Sequence, residues 1–263
     1  SQLIAALLVM ASVWRRLLEP FGRVDWVLVR RYIPEGLLLC AITASWLQML
    51  NFGRFYASVR YPAEEVAHYG VAGAAYQSLS TLLISAFLPV SVGMLSHFGR
   101  SDNDAFDYLE KMLARSAWLA LGGAVVAIEV APFIFRIVFP DYEFDPWMLF
   151  ALLLGVAFYP FLILLGNCLV GKQRAGIYLA TIVAGLCVST VVAVTIDIFA
   201  PNQGAAWGQL IGLLFYMGCL YWVTRMLFHD AVRETWSKVG KRMVSVVLLI
   251  LAYGVLHWRW TNT

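Results

Sequence analysis

The sequence predicts an all-α protein, a polytopic bundle of about eight transmembrane helices, one of them truncated. Two observations support this fold class. Of the 263 residues, 61% are hydrophobic and only 13% are charged, whereas charged residues make up about 25% of a typical soluble domain. In addition, long apolar runs alternate with short polar segments along the whole chain. About 20 apolar residues are enough for a helix to cross a hydrocarbon core of about 30 Å.

The apolar runs define the predicted spans. They cover residues 1–14, 33–59, 69–97, 113–138, 147–170, 175–200, 205–227 and 243–258. The six middle runs are each long enough to cross the membrane. The first is too short, because a helix over that run measures only about 21 Å. We therefore expect it to be the end of a truncated helix, and the chain to be the C-terminal part of a larger protein.

Basic residues predict the orientation of these spans. Fifteen of the nineteen Lys and Arg residues belong to every second gap between apolar runs, thirteen within the gaps and two, Arg115 and Arg225, at the adjoining ends of the runs. Cytoplasmic loops carry an excess of Lys and Arg, so these gaps are predicted to be cytoplasmic. The net charge of +3 is spread over the same loops, which favours anionic lipid headgroups as partners and argues against nucleic acid.

The same pattern divides the chain into three parts. Residues 1–32 contain the truncated helix and a basic cytoplasmic linker, and residues 33–228 form a six-helix transmembrane lobe. In residues 229–263, apolar side chains interleave with basic ones before a last apolar run. This arrangement predicts a cytoplasmic interfacial segment followed by an extra transmembrane helix.

Prolines and glycines within the runs predict local features of the helices. Proline lacks a backbone N–H and can kink a helix, and three prolines fall inside spanning runs: Pro89, Pro132 and Pro160. Glycines at intervals of four give a helix one smooth face for close packing. The run 205–227 and the residue before it carry such a series: Gly204, Gly208 and Gly212.

The sharpest candidate for a binding residue is Arg54, since an ionisable group at membrane depth is costly and invites a functional interpretation. In a continuous helix, Gln48, Asn51 and Arg54 share one face. An arginine on that face can bind a phosphate or a carboxylate. The alternative is an arginine whose long side chain reaches the outer headgroups.

Four further polar residues are candidates. Arg60 and the amides Gln77 and Asn167 are candidates for substrate contact. The alternatives are a headgroup contact for Arg60 and hydrogen bonds across helices for the two amides. Glu129 is either an ion or proton site or a structural, hydrogen-bonded carboxyl group.

Neither catalysis nor a cofactor is predicted. The chain has no G-x-S-x-G, H-E-x-x-H or Walker A motif. Its four histidines lie far apart in sequence, and its four cysteines lie within apolar runs without the paired spacing of metal ligands. We therefore expect no metal and no enzymatic activity.

Several segments occur in the order typical of a known transporter family. A polar helix end at residues 51–54 is followed by segments at 62–72, 87–90, 131–142 and 201–208. With these segments, the chain from Arg31 to Arg225 resembles the C-terminal half of the multidrug/oligosaccharidyl-lipid/polysaccharide exporter (MOP) superfamily. The resemblance is closest to its polysaccharide or O-antigen flippase branch. One departure is Gly53, where many members carry an acidic residue.

This resemblance implies a MATE-like fold of two six-helix lobes around a cavity that opens alternately to each side. It implies a transporter of polyprenyl-diphosphate-linked oligosaccharide, used in polysaccharide and lipopolysaccharide biosynthesis at the bacterial inner membrane. The chain would supply one lobe, with the missing N-terminal lobe encoded by the same gene or a partner chain. By the same resemblance, Arg54 would meet the diphosphate, and Asn51 and Gln48 would bind the sugar or headgroup.

Three other functions remain open at this stage, one of them a purely structural membrane subunit. A multidrug or cation antiporter of the same superfamily would depend on an acidic cavity, for which Glu129 is the deep carboxyl group. A membrane-bound glycan polymerase or ligase would need a sizeable outer catalytic loop. The longest predicted outer gap is about nine residues, which is within the range of a plain helix connection.

Overall fold

A computed structural model describes residues 26–98, 102–138, 145–227 and 233–261. In these ranges the chain is helical apart from short turns, and they contain no strand. The described helices are α1 (Trp26–Leu50), α2 (Phe52–Arg60), α3 (Ala63–Phe98), α4 (Asp102–Val138), α5 (Pro146–Val156), α6 (Tyr159–Gly171), α7 (Ala175–Phe199), α8 (Gly204–Leu227) and α9 (Arg233–Thr261). The predicted all-α class is therefore confirmed for the described residues.

Five helical segments are long and apolar enough to cross a membrane, which identifies a multi-pass membrane protein. They are Tyr32–Leu50, Asp107–Val138, Pro146–Gly171, Ala175–Phe199 and Gly204–Leu227. Each corresponds to one of the predicted spans. The predicted number of about eight is not confirmed. The runs 69–97 and 243–258 lie in α3 and α9, which are not among the five, and the run 1–14 lies outside the described residues.

Many large apolar side chains remain exposed on the described helices. Trp118 and Phe133 on α4 are 61% and 68% exposed, and Ile198 on α7 is 72% exposed. Large exposed apolar areas are rare on soluble monomers, so these side chains suit a lipid environment.

The chain divides into two compact units, Ser1–Ala41 and Ile42–Thr263. In the first unit the structure describes the N-terminal part of α1, where the described side chains from Tyr32 to Cys40 are largely exposed. The second unit contains the end of α1 and all the later helices.

Helices α5 and α6 form the core of the second unit. Every residue from Met148 to Leu162 is buried. Helix α5 packs against α3, α4 and α8, and α6 packs against α3, α4, α7 and α8. A helix that is apolar on all sides needs such complete coverage or lipid around it. Of the five segments able to cross a membrane, the most hydrophobic is therefore the one that its neighbours enclose.

The runs 33–59 and 147–170 were each predicted as one helix, and both are interrupted. The first stops at Leu50 and restarts at Phe52, while the second has a turn at Ala157 and Phe158. The second break follows from Pro160, whose ring clashes with the carbonyl group four residues earlier. That carbonyl belongs to Val156, the last residue of α5. The other two prolines predicted to kink a span, Pro89 and Pro132, lie inside helices assigned without a break.

Helices α7 and α8 form a tight antiparallel hairpin along the predicted glycine face. A Cβ atom added at Gly208 would lie 2.6 Å from the Cβ atom of Ala193, and one added at Gly212 would lie 3.0 Å from the carbonyl oxygen of Gly185. Glycine is required here because the two backbones approach so closely.

The last described helix covers most of the segment predicted to be interfacial and all of the last predicted span. From Arg233 to Thr261 the chain is one helix, α9, which packs against α4. Its basic residues meet Glu110 of α4. The Arg242 guanidinium donates to the Glu110 backbone oxygen at 2.9 Å, and the Lys238 ammonium lies 3.8 Å from its carboxylate. Charge pairing therefore holds the first turns of α9 against another helix.

Candidate functional site

A polar pocket of about 190 Å³ lies at the turn between α1 and α2, with α3 and α8 as its other walls. Its lining residues are Leu50, Asn51, Arg54, Tyr69, Gly70, Gly73, Ala74, Tyr76, Gln77 and Gln209. Three of the predicted substrate-binding residues are thus brought together: Asn51, Arg54 and Gln77.

The other three predicted substrate-binding residues lie elsewhere. Gln48 is exposed on α1, Arg60 is exposed at the end of α2, and Asn167 is half-buried on α6. None of them is among the residues that line the pocket. The shared face expected for Gln48, Asn51 and Arg54 assumed one continuous helix, and the turn at Asn51 interrupts it.

The turn at Asn51 is completed by a side chain from a distant helix. The side-chain oxygen of Gln209 on α8 accepts a hydrogen bond from the Gly53 backbone N–H at 2.9 Å. Its side-chain nitrogen donates to the Leu50 carbonyl oxygen at 3.0 Å. Unpaired backbone groups are costly away from water. One buried amide therefore satisfies a donor and an acceptor on the two sides of the turn.

Gly53 is required by this arrangement. A Cβ atom at this position would lie 2.7 Å from the side-chain oxygen of Gln209 and would overlap the Tyr69 hydroxyl. The backbone at Gly53 thus lies directly against side chains of α3 and α8.

A chain of buried hydroxyl groups extends from Gln209 to the second helix break. The Tyr69 hydroxyl donates to the Gln209 side-chain oxygen at 3.3 Å, and the Gln209 nitrogen donates to the Tyr76 hydroxyl. Tyr76 in turn shares a hydrogen bond with Tyr159, the first residue of α6. The turns at Asn51 and at Phe158 are therefore joined by one continuous polar network.

Sequence reasoning missed Gln209, the centre of this network. It is 2% exposed. One signal was present, because Gln209 is the only side-chain amide in the run 205–227. Nothing local, however, indicates that its partners lie on α1, α2 and α3.

The electrostatic character of the pocket comes from Arg54. Its side chain is exposed. In the part of the chain that the structure describes, Arg54 forms no ion pair, and the pocket has no carboxylate among its lining residues. One unpaired guanidinium thus stands beside neutral amides and phenols. Such a set suits an anion with several oxygen acceptors.

Glu129, the predicted ion or proton site, is not part of this pocket. It lies on α4, where its carboxylate accepts a hydrogen bond from the Tyr253 hydroxyl on α9. A hydrogen bond of this kind is what the alternative interpretation of Glu129, a structural carboxyl group, predicts. No cluster of three or more His, Cys, Asp or Glu residues that could hold a metal ion occurs within the described ranges.

A second polar cluster lies at the turn between α7 and α8. The Asp197 carboxylate accepts hydrogen bonds from Tyr56 at 2.8 Å, from Tyr61 at 3.0 Å and from the Gly204 backbone N–H at 2.7 Å. The Tyr61 hydroxyl also accepts from the Ala205 N–H at 2.8 Å. Burial raises the pKa of Tyr61 above its ordinary value of 10.0, and the negative charge of Asp197 acts in the same direction. This cluster ties α2 to the first turn of α8.

No protein-family model, no curated protein and no solved structure matches this chain. The chain is a multi-pass helical membrane protein with a polar pocket beside the turn at Asn51.

Proposed function

We propose that the protein is one lobe of an exporter that flips a polyprenyl-diphosphate-linked oligosaccharide across the membrane by alternating access. The observation that carries this proposal is the unpaired Arg54 guanidinium in a pocket whose other polar groups are neutral. A guanidinium can hold two phosphate oxygens at once, which a single ammonium group cannot do with the same geometry.

The position of the pocket supports the same function. Non-helical backbone at membrane depth is tolerated where it is buried in protein or lines a cavity, and many transporters bind their substrates at discontinuous helices. The turn at Asn51 directly follows the Tyr32–Leu50 segment, which is able to cross a membrane. Gln209 satisfies its backbone on one side, while Asn51 and Arg54 line the pocket on the other.

The proposal includes a second lobe, from the same gene or a partner chain, since a pocket of about 190 Å³ is smaller than the 300–1,000 Å³, roughly, of typical ligand sites. In this arrangement the two lobes enclose the substrate at the bacterial cytoplasmic membrane. The sugar then contacts side-chain amides such as Asn51 and Gln77.

The antiporter alternative is less well supported. A cation antiporter needs a carboxylate where its ion binds. Glu129 does not line this pocket, because it lies on α4, where its carboxylate accepts a hydrogen bond from Tyr253.

The test is the substitution Arg54→Ala in the complete protein, with glycan export measured by complementation of an export-deficient strain. We expect export to be lost while the amount of protein in the membrane is unchanged, and Arg54→Lys to restore only part of it. Arg60→Ala is the matched control, because Arg60 is an exposed arginine on the same helix outside the pocket.

Full export by the Arg54→Ala variant would overturn the proposed function. So would export unchanged in a deletion strain that instead becomes sensitive to cationic drugs, since that phenotype belongs to the antiporter. Accumulation of lipid-linked oligosaccharide on the cytoplasmic face of the Arg54→Ala strain would support the flippase directly.

A further inference from the structure

A second polar pocket lies between the end of α8 and the beginning of α9. Its volume is about 470 Å³, and its lining residues are Tyr221, Arg225, Ser237, Gly240, Lys241, Met243 and Val244. Two of these seven residues are cations, and none is acidic. The pocket shares no residue with the one at Arg54.

The two cations of this pocket differ from two neighbouring cations in forming no salt bridge with any described residue. Glu110 of α4 pairs with Lys238 and with Arg242, so those two charges are compensated. Within the described ranges, Arg225 and Lys241 form no salt bridge. Among the basic side chains of α8 and α9 that the structure describes, the two without a salt bridge thus both line the pocket.

One wall of the pocket is the Tyr221 side chain of α8, which reaches Gly240 of α9. A Cβ atom at Gly240 would lie 3.0 Å from the Tyr221 ring carbon that bears the hydroxyl, so the absence of a side chain at Gly240 admits Tyr221 of α8. On the α9 side, Met243 is buried and Val244 is 57% exposed. The pocket therefore combines a cationic part with an apolar wall.

Its place along the helices matches the level of lipid headgroups. Arg225 lies in the last turn of α8, which is the end of the Gly204–Leu227 segment that is able to cross a membrane. Basic pockets between transmembrane helices on the cytoplasmic side bind anionic lipid headgroups. The basic residues predict that this end is cytoplasmic.

We propose that this pocket binds the phosphate of an anionic phospholipid headgroup, with Arg225 and Lys241 as its two cationic contacts. The Ser237 hydroxyl supplies a further hydrogen-bond donor, and Met243 and Val244 contact the first part of the acyl chains. The phosphate belongs to a bilayer lipid and not to a soluble molecule, because the pocket joins cations, which suit a headgroup, to an apolar wall, which suits an acyl chain. This inference does not depend on the proposed transport function.

The experiment is a lipid titration of the purified full-length protein in detergent, followed by native mass spectrometry and by the shift in Tm. Phosphatidylglycerol is the probe, and phosphatidylcholine is the zwitterionic reference. Each basic residue near the surface contributes about a fivefold factor to the binding of anionic lipid. We therefore expect the double variant Arg225→Ala/Lys241→Ala to bind phosphatidylglycerol about 30-fold more weakly.

The matched control is Lys111→Ala/Arg115→Ala, which removes two exposed cations from α4 at the same predicted side of the membrane. We expect this control to bind phosphatidylglycerol like the wild type. Both double variants should also keep the wild-type Tm in phosphatidylcholine, which separates lost binding from lost folding. Equally weakened binding of phosphatidylglycerol in the two variants would overturn the proposal, because binding would then depend on the total positive charge and not on this pocket.

Inorganic phosphate and glycerol phosphate form the second arm of the experiment. At millimolar concentration neither should displace phosphatidylglycerol, since neither carries the acyl chains that contact the apolar wall. Displacement by inorganic phosphate alone would assign the pocket to a soluble ligand and overturn the lipid proposal. Wild-type lipid binding by Arg225→Ala/Lys241→Ala would overturn it as well.

Discussion

The side-chain amide of Gln209 binds the backbone of Gly53, 156 positions earlier in the chain, at a donor–acceptor distance of 2.9 Å. The same amide donates to the Leu50 carbonyl oxygen at 3.0 Å. One residue of α8 thereby stabilises the non-helical turn that carries Asn51 and Arg54 into the pocket.

Replacing Gln209 should destabilise the protein strongly. The substitution Gln209→Leu leaves a buried N–H and a buried C=O without their partner, and each such group costs about 1–3 kcal/mol. We expect a clear fall in Tm in detergent, measured by the intrinsic fluorescence of the tryptophans. Gln48→Leu is the control, because Gln48 is an exposed glutamine on α1. A Tm equal to that of the control would contradict the bridging role of Gln209.

The hairpin of α7 and α8 predicts opposite effects for two substitutions in one helix. Gly208→Ala places a methyl group 2.6 Å from the Cβ atom of Ala193, and overpacking of this kind costs about 1–3 kcal/mol. At Gly218 an added Cβ meets nothing within 4 Å, so Gly218→Ala should stabilise α8 by about 0.5–1 kcal/mol. Thermal unfolding of both variants gives the comparison. Equal shifts of the same sign would show that α7 and α8 are not packed this closely.

Stability should fall at alkaline pH through Tyr61, whose pKa is raised by burial and by Asp197. The folded protein keeps this phenol protonated, whereas the unfolded chain loses the proton near pH 10, the ordinary value. The stabilisation is thus complete below about pH 10 and is lost as the pH rises through the folded pKa.

We expect Tm to decline less steeply between about pH 9 and about pH 11 in the Tyr61→Phe variant than in the wild type. Tyr32→Phe, which changes a tyrosine that is 57% exposed, is the control. Parallel pH profiles for Tyr61→Phe and the wild type would contradict this assignment.

The turn between α6 and α7 offers a stabilising substitution. Gln173 has a φ of 56°, while its N–H bonds to the Val170 oxygen at 2.9 Å and the next N–H bonds to the Leu169 oxygen at 2.8 Å. These two bonds form a Schellman motif, in which the left-handed residue is usually glycine. Gln173→Gly should therefore raise the free energy of unfolding by up to about 1 kcal/mol.

Lys172→Gly provides the comparison for this turn, because Lys172 has a φ of −95° and gains nothing from the freedom of glycine. We expect it to lower Tm, since glycine increases the entropy of the unfolded chain. If Gln173→Gly lowered Tm to the same extent, the positive φ of Gln173 would not be a source of strain that glycine relieves.

Part of the candidate site was predictable from local sequence. Asn51, Arg54 and Gln77 were identified because polar groups are rare within apolar runs, and all three line the pocket. Gln48 was grouped with them on helical spacing, but the turn at Asn51 breaks the helix between Gln48 and Arg54. Spacing describes a face only while the helix continues.

Local sequence was enough to predict the membrane character, the helical class, five helical segments able to cross a membrane and the glycine face of α8. These properties follow from composition and from short-range periodicity, which a local stretch of sequence contains. The tertiary structure decided which polar groups meet. Gln209 reaches Gly53, and Tyr76 reaches Tyr159, across 156 and 83 positions of chain. A hydrogen bond in an apolar interior depends on distance and direction between helices, and no local pattern specifies either.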